Sequence, residues 1–329
     1  MSSVGLATEI AYRSARRGDD EAIVTFLREC GYESDLAFWR WINRDGPHGP
    51  TMVELALDGS RVIGHYAILP RRLQAGGATV QAGQAIHATV HPQFRGLAVL
   101  QGLMRRVVQA AGAAGLPFLY GFPNAQIRLV YQKIFHWQPA GDLVALERPV
   151  GSFEPEAAGD CTVSCRARVQ FDERYRVFEE PTAWQRATRV MKDPAYLQWR
   201  YANHPRVRYQ LLEACAPSGA LAGYAVLKRY AKGATVYGHL IDFAVRDGQA
   251  AAFRALVAAA LSHFRQQRVD VASCWALPQT PYCETVQAMG FQPTGFTTHL
   301  GYRLLDTRFT ADRLGLEHWH VVMGDSDAF

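Results

Sequence analysis

The sequence predicts a mixed α/β fold in two similar halves, each a mostly antiparallel sheet flanked by helices. Three observations lead there. Strand-like runs such as TMVELAL and RVIGHYAILP are followed by a long segment of helical period, LAVLQGLMRRVVQAAGAAG. The same order of segments recurs in the second half of the chain. A length of 329 residues exceeds one ordinary core and suits two domains of about 100–200 residues each.

The elements of the first half follow one by one. EIAYRSA reads as a strand, Arg17–Asp20 as a turn, and the segment with Ile23, Phe26 and Leu27 as a helix whose start is capped by Asp19 and Asp20. The aromatic segment FWRWINRDGP comes next, then TMVELAL and RVIGHYAILP as a hairpin about the turn at Asp58–Ser60. After the Gly-rich AGGAT, QAIHATV is a strand and HPQFRG a turn. The helix beyond that turn ends in glycine, as helices often do. PFLYGFP is a short buried strand and AQIRLVYQKIF an amphipathic helix.

Residues 151–160, GSFEPEAAGD, are acidic and rich in Gly, Pro and Ala, which makes them the expected linker. The halves are therefore read as domains 1–150 and 161–329. Trp39-Arg40-Trp41-Ile42-Asn43 is echoed by Trp199-Arg200-Tyr201-Ala202-Asn203, and VIGHYAIL by LAGYAVL. HLIDFAV, QAAAFRALVAAALSHFRQQ and VASCWALP then repeat the order strand, helix, strand. This is the pattern of an internal duplication. The paired segments around Trp39 and Trp199 are read as core packing. The tail, HWHVVMGDSDAF, either docks back on the fold or frays.

Composition removes several classes of function. With 49% hydrophobic and 20% charged residues the chain can bury real cores and is not a disordered sequence. No apolar run approaches the roughly 20 residues of a membrane span, and the N-terminus lacks the apolar centre of a signal peptide, so a cytoplasmic protein without membrane contact is expected. The six cysteines show no metal-type grouping; packed, reduced thiols and no metal are expected, including at Cys161 and Cys165 in CTVSC. A net charge of +5, scattered rather than clustered with aromatics, favours an anionic small molecule over nucleic acid.

The segment that carries chemistry is VHPQFRGLAVLQGLMRR. A strand ends at His91-Pro92, Arg95-Gly96 supplies a turn with a cation, and a helix begins at about Leu97. A helix start presents backbone N–H groups without internal partners and a partial positive charge, and small residues let a ligand approach the backbone. That combination suits a phosphate.

These residues resemble the GCN5-related N-acetyltransferases (GNAT), whose Val-x-Pro-x-Tyr/Phe-Arg-Gly-x-Gly-type turn binds the pyrophosphate of acetyl-CoA. Val90-His91-Pro92-Gln93-Phe94-Arg95-Gly96 matches it, with Ala98 and Leu100 where the family has small residues. A second segment agrees. Asn124 follows the strand FLYGFP, and Tyr131 falls seven residues later in Tyr131-Gln132-Lys133-Ile134-Phe135, with His136-Trp137 replacing the family's Gly-Phe ending. The resemblance covers about residues 8–147 and, more weakly, about 165–305. It implies tandem GNAT-like domains with a degenerate C-terminal copy.

It also implies an acyl-CoA-dependent N-acyltransferase, with direct attack by an amine on the thioester in a ternary complex. Acetyl from acetyl-CoA to a small amine, an amino sugar or amino acid, is the leading reading. A longer acyl group from acyl-CoA or acyl carrier protein, and a non-catalytic acyl-CoA-binding or scaffold protein, are the alternatives. By resemblance Tyr131 is the acid for the departing thiolate, a phenol that can donate at neutral pH. Arg95, Gly96, Leu97, Ala98, Val99 and Leu100 would hold the pyrophosphate. The amide of Val90 and the side chain of Asn124 would hold the pantetheine arm, although Asn124 equally suits a helix cap.

His87 is the candidate base, since an unperturbed pKa of about 6.5 suits proton acceptance near neutrality; alternation puts it on one face with Ala85 and Thr89. Deprotonation relayed by water is the alternative. In the second half AVRDGQAAAF has Arg246 and Gly248 but not the family order, and no Tyr lies seven residues after Gln279, so CoA binding is expected only in the first half. A cleft between the halves is the expected place for the acceptor, in a monomer or homodimer.

Overall fold

The computed structural model describes residues 9–151, 153, 162–166, 168–180, 188–247, 249–307 and 309–327. The expected linker, apart from Gly151 and Phe153, lies outside the described residues, as do Cys161 and Gly248. In chain order the first half runs β1 (Ala11–Ser14), α1 (Asp20–Glu29), α2 (Leu36–Asn43), β2 (Met52–Asp58), β3 (Arg61–Ala75), β4 (Ala78–Val90), α3 (Leu97–Ala113), β5 (Phe118–Gly121), α4 (Ala125–Phe135) and β6 (Gln138–Pro149). The second half runs β7 (Thr162–Arg166), β8 (Thr188–Val190), α5 (Pro194–Leu197), β9 (Gln210–Cys215), β10 (Leu221–Lys232), β11 (Thr235–Val245), α6 (Ala250–Gln266), β12 (Val271–Trp275), α7 (Pro281–Ala288), β13 (Gln292–Leu304) and β14 (Trp319–His320). From the β2–β3 hairpin to β6 and from the β9–β10 hairpin to β13 the succession is the same, so the duplication extends to the order of elements.

The chain divides into two compact units, Met1–Arg72 with Val80–Gln138 and Gly301–Ala311, and Leu73–Thr79 with Pro139–Leu300 and Asp312–Phe329. In the first unit β1, β2 and β3 are antiparallel neighbours and β4 lies beside β3. β4 pairs β5 in parallel, and residues Gly301–Leu304 of β13 close the order antiparallel to β5. Val99, Leu103, Met104, Val107 and Ala111 recur at helical spacing along α3 and pack with Ala56, Ile63, Ile68 and Leu119 of the sheet. Gly83 is required where β4 passes β5: a Cβ there would lie 2.5 Å from Ile68 Cγ2 and 2.6 Å from Leu119 Cδ2.

In the second unit β6 pairs β12 antiparallel, β12 pairs β11 in parallel, and β10, β9 and β7 follow antiparallel. Phe253, Leu256, Val257, Ala260 and Phe264 of α6 cover Leu227, Leu240 and Phe243. The strand that ends each half thus completes the sheet of the other half's unit. The tail docks: Trp319, Val321, Val322, Met323 and Asp325 are buried, and β14 pairs β8. Trp39 and Trp199 are buried as core residues.

Asp19 and Asp20 do not cap α1 through their side chains. Asp19 instead pairs with Arg13 and accepts from the Arg16 amide, and Asp20 pairs with Arg40 and Arg44, because cations from β1 and α2 lie within reach of both carboxylates. Among the described residues no helix is long and apolar enough to cross a membrane, and no group of three or more His, Cys, Asp or Glu is placed to hold a metal ion.

Candidate active site

At the end of β4 the His91 amide donates to Ile63 O at 2.8 Å. Successive amides of a strand point to opposite edges, so the Val90 amide faces away from β3, toward the side of β5. Parallel pairing of β4 with β5 stops at Ala85–Gly121, where β5 ends, so Ile86–Val90 run on past its last paired residue. His91 Nδ1 accepts from the Gln93 amide at 3.3 Å and starts a single 3-10 turn, Pro92–Phe94. Gly96 then begins α3 with φ 176°, extended backbone that any residue adopts. Its value is space: the nearest atom to a Cβ built there is Phe94 O at 4.0 Å.

The amides of Gly96, Leu97, Ala98 and Val99 are the donors that the geometry of a helix start leaves without intrahelical acceptors. No acidic residue occupies that first turn, and Arg95, Gly96, Leu97 and Ala98 are exposed. Val99 turns its side chain into the core, and Leu100 is half-buried. A 17-residue helix with this start favours an anion.

Beyond the end of β5, Asn124 caps α4: its Oδ1 accepts from the amides of Gln126 and Ile127 at 3.1 and 3.0 Å. The cap engages the oxygen and leaves the Nδ2 donor for another partner. Two turns on, the buried Tyr131 donates from its hydroxyl to Tyr66 Oη at 2.9 Å and packs its ring on Trp137 with centroids 4.9 Å apart. Tyr66, on β3, is fully buried; burial, and then the neighbouring Tyr131, hold its pKa well above the ordinary 10. Tyr66 is therefore a neutral acceptor that orients the Tyr131 hydroxyl. Neither Tyr66 nor Trp137 stands out in the sequence. The available signal was a polar pair, His65-Tyr66, inside the apolar strand VIGHYAIL.

His87 departs from the expected strand geometry. Its φ is +50°, a left-handed conformation that breaks alternation with Ala85 and Thr89 and is concentrated at functional sites. Its carbonyl accepts from His65 Nδ1 at 3.0 Å. Burial pushes the His87 pKa down to about 4. The fully buried His65 is also lowered to about 4, by burial, against the opposing effect of its bond to His87 O. Both rings are neutral at pH 7, so the ordinary pKa that recommended His87 as a base does not apply here.

The same depression makes a stability prediction. Between about 6.5 and about 4 the unfolded chain binds protons at these histidines that the folded chain does not. Stability should be flat near neutrality and fall on acidification through that window, by about 1.4 kcal/mol per pH unit for a fully buried histidine. Urea titrations at several pH values measure it, and a slope that His65→Phe leaves unchanged would contradict the assignment.

The second half is furnished differently at the same positions. Arg246 N donates to Ala222 O at 2.9 Å, as His91 N does to Ile63 O, so Val245 corresponds to Val90 and Asp242 to His87. The Val245 amide is already satisfied by the Tyr282 hydroxyl at 3.3 Å. The Tyr282 ring packs against Phe243 and Phe253 with centroids 5.0 and 4.7 Å away, beside the strand edge that β12 leaves. A 330 Å³ cavity at the following turn has Asp247 and Glu180 beside Arg246, carboxylates unsuited to a pyrophosphate. Thr280, not Gln279, caps α7.

The family model described as an acetyltransferase (GNAT) domain matches residues 11–139. No curated protein matches the chain by sequence. Among solved structures, a probable N-acyltransferase from Enterococcus faecalis superposes with a TM-score of 0.69 at 12% identity, over 91% of this chain and 73% of that one. A GCN5-related N-acetyltransferase from Anabaena variabilis gives 0.68 at 14% identity over 91% and 73%. The Saccharomyces cerevisiae N-myristoyltransferase, solved with bound myristoyl-CoA, gives 0.62 at 12% identity over 91% and 83%. Residues 11–139 thus match the GNAT acetyltransferase domain model, in a chain with the fold of the GCN5-related N-acetyltransferases.

Proposed function

We propose that the chain is a cytoplasmic acyl-CoA-dependent N-acyltransferase that carries acetyl from acetyl-CoA to a small amine, an amino sugar or amino acid, by direct attack in a ternary complex. The observation that carries this reading is the start of α3: four unpartnered amides, Arg95 beside them, open space at Gly96, and the Val90 amide on the splayed edge leading away from it. Domain 1–150 does the chemistry, and domain 161–329 is a degenerate copy with a structural or substrate-site role.

An alkylammonium of pKa near 10 first loses its proton to water. The neutral nitrogen then attacks the thioester carbonyl. As the C–N bond forms, that nitrogen becomes acidic enough to give its second proton to a weak acceptor such as neutral His87. The C–S bond then breaks, and the thiolate takes the Tyr131 proton. Val90 and Asn124 Nδ2 hold the pantetheine arm; Arg95 and the amides from Gly96 to Val99 hold the pyrophosphate, with the Leu100 side chain beside them.

The test pairs binding with turnover. Acetyl-CoA should raise the Tm of the wild type, and an amine screen read by thiol release should find a small acceptor. Gly96→Val needs no change of backbone, and its Cβ meets no neighbour within 4 Å except Phe94 O. It should keep the unliganded Tm yet weaken acetyl-CoA at least tenfold, since its side chain fills the ligand's approach. Absence of a thermal shift at saturating acetyl-CoA refutes the reading, and turnover of a protein lysine but of no small amine refutes the substrate class.

A further inference from the structure

The last helix of each half exits through a left-handed residue. In the first half α4 ends at Phe135, and His136 follows with φ +56°, a conformation that helix ends usually give to glycine. The chain then turns back so that the Trp137 amide donates to Tyr131 O at 3.0 Å. Tyr131 is therefore tied to this exit twice, by its carbonyl and by its ring, which packs on the Trp137 ring. His136 itself is exposed, and its side chain makes no hydrogen bond or ion pair among the described residues.

What meets the exit comes from β13. The half-buried Arg303 donates from Nη1 to Phe135 O at 2.7 Å, a carbonyl that helix geometry leaves without an intrahelical donor. Arg303 has no carboxylate partner among the described residues, so its charge serves the negative end of α4. Two residues earlier, on the same face of β13, Gly301 lies opposite Gly121 of β5. A Cβ on Gly301 would stand 3.4 Å from Trp137 Cε3, and one on Gly121 would stand 3.5 Å from Trp137 Cη2. This glycine pair makes room for the indole that packs on Tyr131.

The second half repeats the contact. Arg148 of β6 donates to Met289 O, the carbonyl just before Gly290, whose φ is +87°. The Phe291 amide then returns to Val286 O at 3.0 Å. In both copies the arginine lies on the strand that the other half contributes. The copies differ in the left-handed residue, which is glycine in the second and histidine in the first. A Cβ disfavours that conformation, so the first half depends more on its arginine.

We propose that Arg303 is a positioning residue for Tyr131: by holding Phe135 O it fixes the left-handed exit at His136 and, with it, the Trp137 ring and the Tyr131 hydroxyl. Tyr131 stands four residues, about one turn, before Phe135, so a loosened exit reaches it directly. The second half thus supplies a part of the first half's site that residues 11–139 do not contain. The catalytic consequence rests on the acyltransferase reading; the clamp does not.

Hydrogen exchange of the unliganded full chain reads the clamp at the Trp137 amide. Arg303→Met keeps an unbranched side chain without a donor, and should speed that exchange about fivefold or more. Arg303→Lys, whose ammonium can still donate to Phe135 O, should speed it less. His136→Gly removes the left-handed penalty, so it should raise the Tm and cut the effect of Arg303→Met to below about twofold when the two are combined. In turnover the same order should appear in kcat with KM for acetyl-CoA unchanged: about fivefold or more lost in Arg303→Met, most activity kept in Arg303→Lys, and most recovered in the double variant.

Trp137 exchange indifferent to Arg303→Met overturns the proposal, and so does a loss of equal size with and without His136→Gly. Faster exchange with kcat intact overturns the positioning role. If Arg303→Met does not fold, Arg303→Lys alone and with His136→Gly gives the same comparison. The expected exchange in a protein that acylates no amine would leave the clamp standing and remove the acyltransferase reading instead.

Discussion

Tyr131→Phe is expected to lower kcat by about 10²-fold or more while changing KM for acetyl-CoA little, the pattern of a group used mainly as the thiolate departs. The ring stays: its contacts with Trp137 and Phe135, centroids 4.9 and 5.9 Å away, need no hydroxyl. What is lost is one O–H. In the resting site that proton points at Tyr66 Oη, and Tyr66 is buried too deeply to ionise or to serve as an acid itself. Tyr66→Phe should therefore act indirectly, through a less oriented Tyr131 hydroxyl, with a smaller loss. The decisive comparison is between donors. A thioester whose leaving thiol is more acidic needs less protonation, so it should narrow the gap between wild type and Tyr131→Phe. Equal loss for both donors, or a variant within threefold of wild type, would remove the acid role and leave Tyr131 as packing.

Much of this site was legible because its parts are local. The start of α3 announces itself through Arg95-Gly96 and the apolar spacing behind it, and α4 runs over the predicted AQIRLVYQKIF. The doubling was legible because Trp39–Asn43 and Trp199–Asn203 retain nearly the same wording. β6 and β13 were missed for a physical reason. Their partners, β12 and β5, lie far away in sequence, and no local pattern encodes such pairing. The left-handed bend at His87 was invisible for a related reason: no glycine marks it, and the bond that accompanies it comes from His65 on the neighbouring strand. The pKa values of these histidines follow from burial, which one strand cannot disclose. The tail could be read as docked or frayed, and its partner Lys192 decides for docking.

That partner gives the largest stability effect. Asp242→Ala is expected to cost about 3–5 kcal/mol, the range for breaking a buried ion pair from one side. Lys192 is nearly buried, with Nζ 2.9 Å from Asp242 and 3.0 Å from Asp325. Burial alone would lower its pKa, and the two carboxylates outweigh burial and hold it above the ordinary 10.5. Asp242 is fully buried and also accepts from Tyr201 Oη at 2.5 Å. Without Asp242 the ammonium keeps one carboxylate, and Tyr201 loses its acceptor. Asp325 holds the tail, accepting from the Val322 amide at 2.9 Å, and Arg200 reaches Gly324 O at 3.1 Å. Damage should therefore appear first as faster hydrogen exchange at the amides of Val322 and Asp325, and as a lower urea midpoint. Adding Lys192→Met to Asp242→Ala should deepen the loss, because the buried Asp325 carboxylate then loses its cation. A single-variant cost below about 1 kcal/mol, or a double variant more stable than the single, would show that the cluster does not hold the tail. The contrast with the first half follows from the same chemistry. At one strand position His87 keeps a left-handed backbone and a ring nitrogen, Nδ1, that no protein group meets among the described residues; at the other Asp242 has both oxygens engaged. A residue whose hydrogen-bonding capacity is spent on its own fold has none left for a substrate.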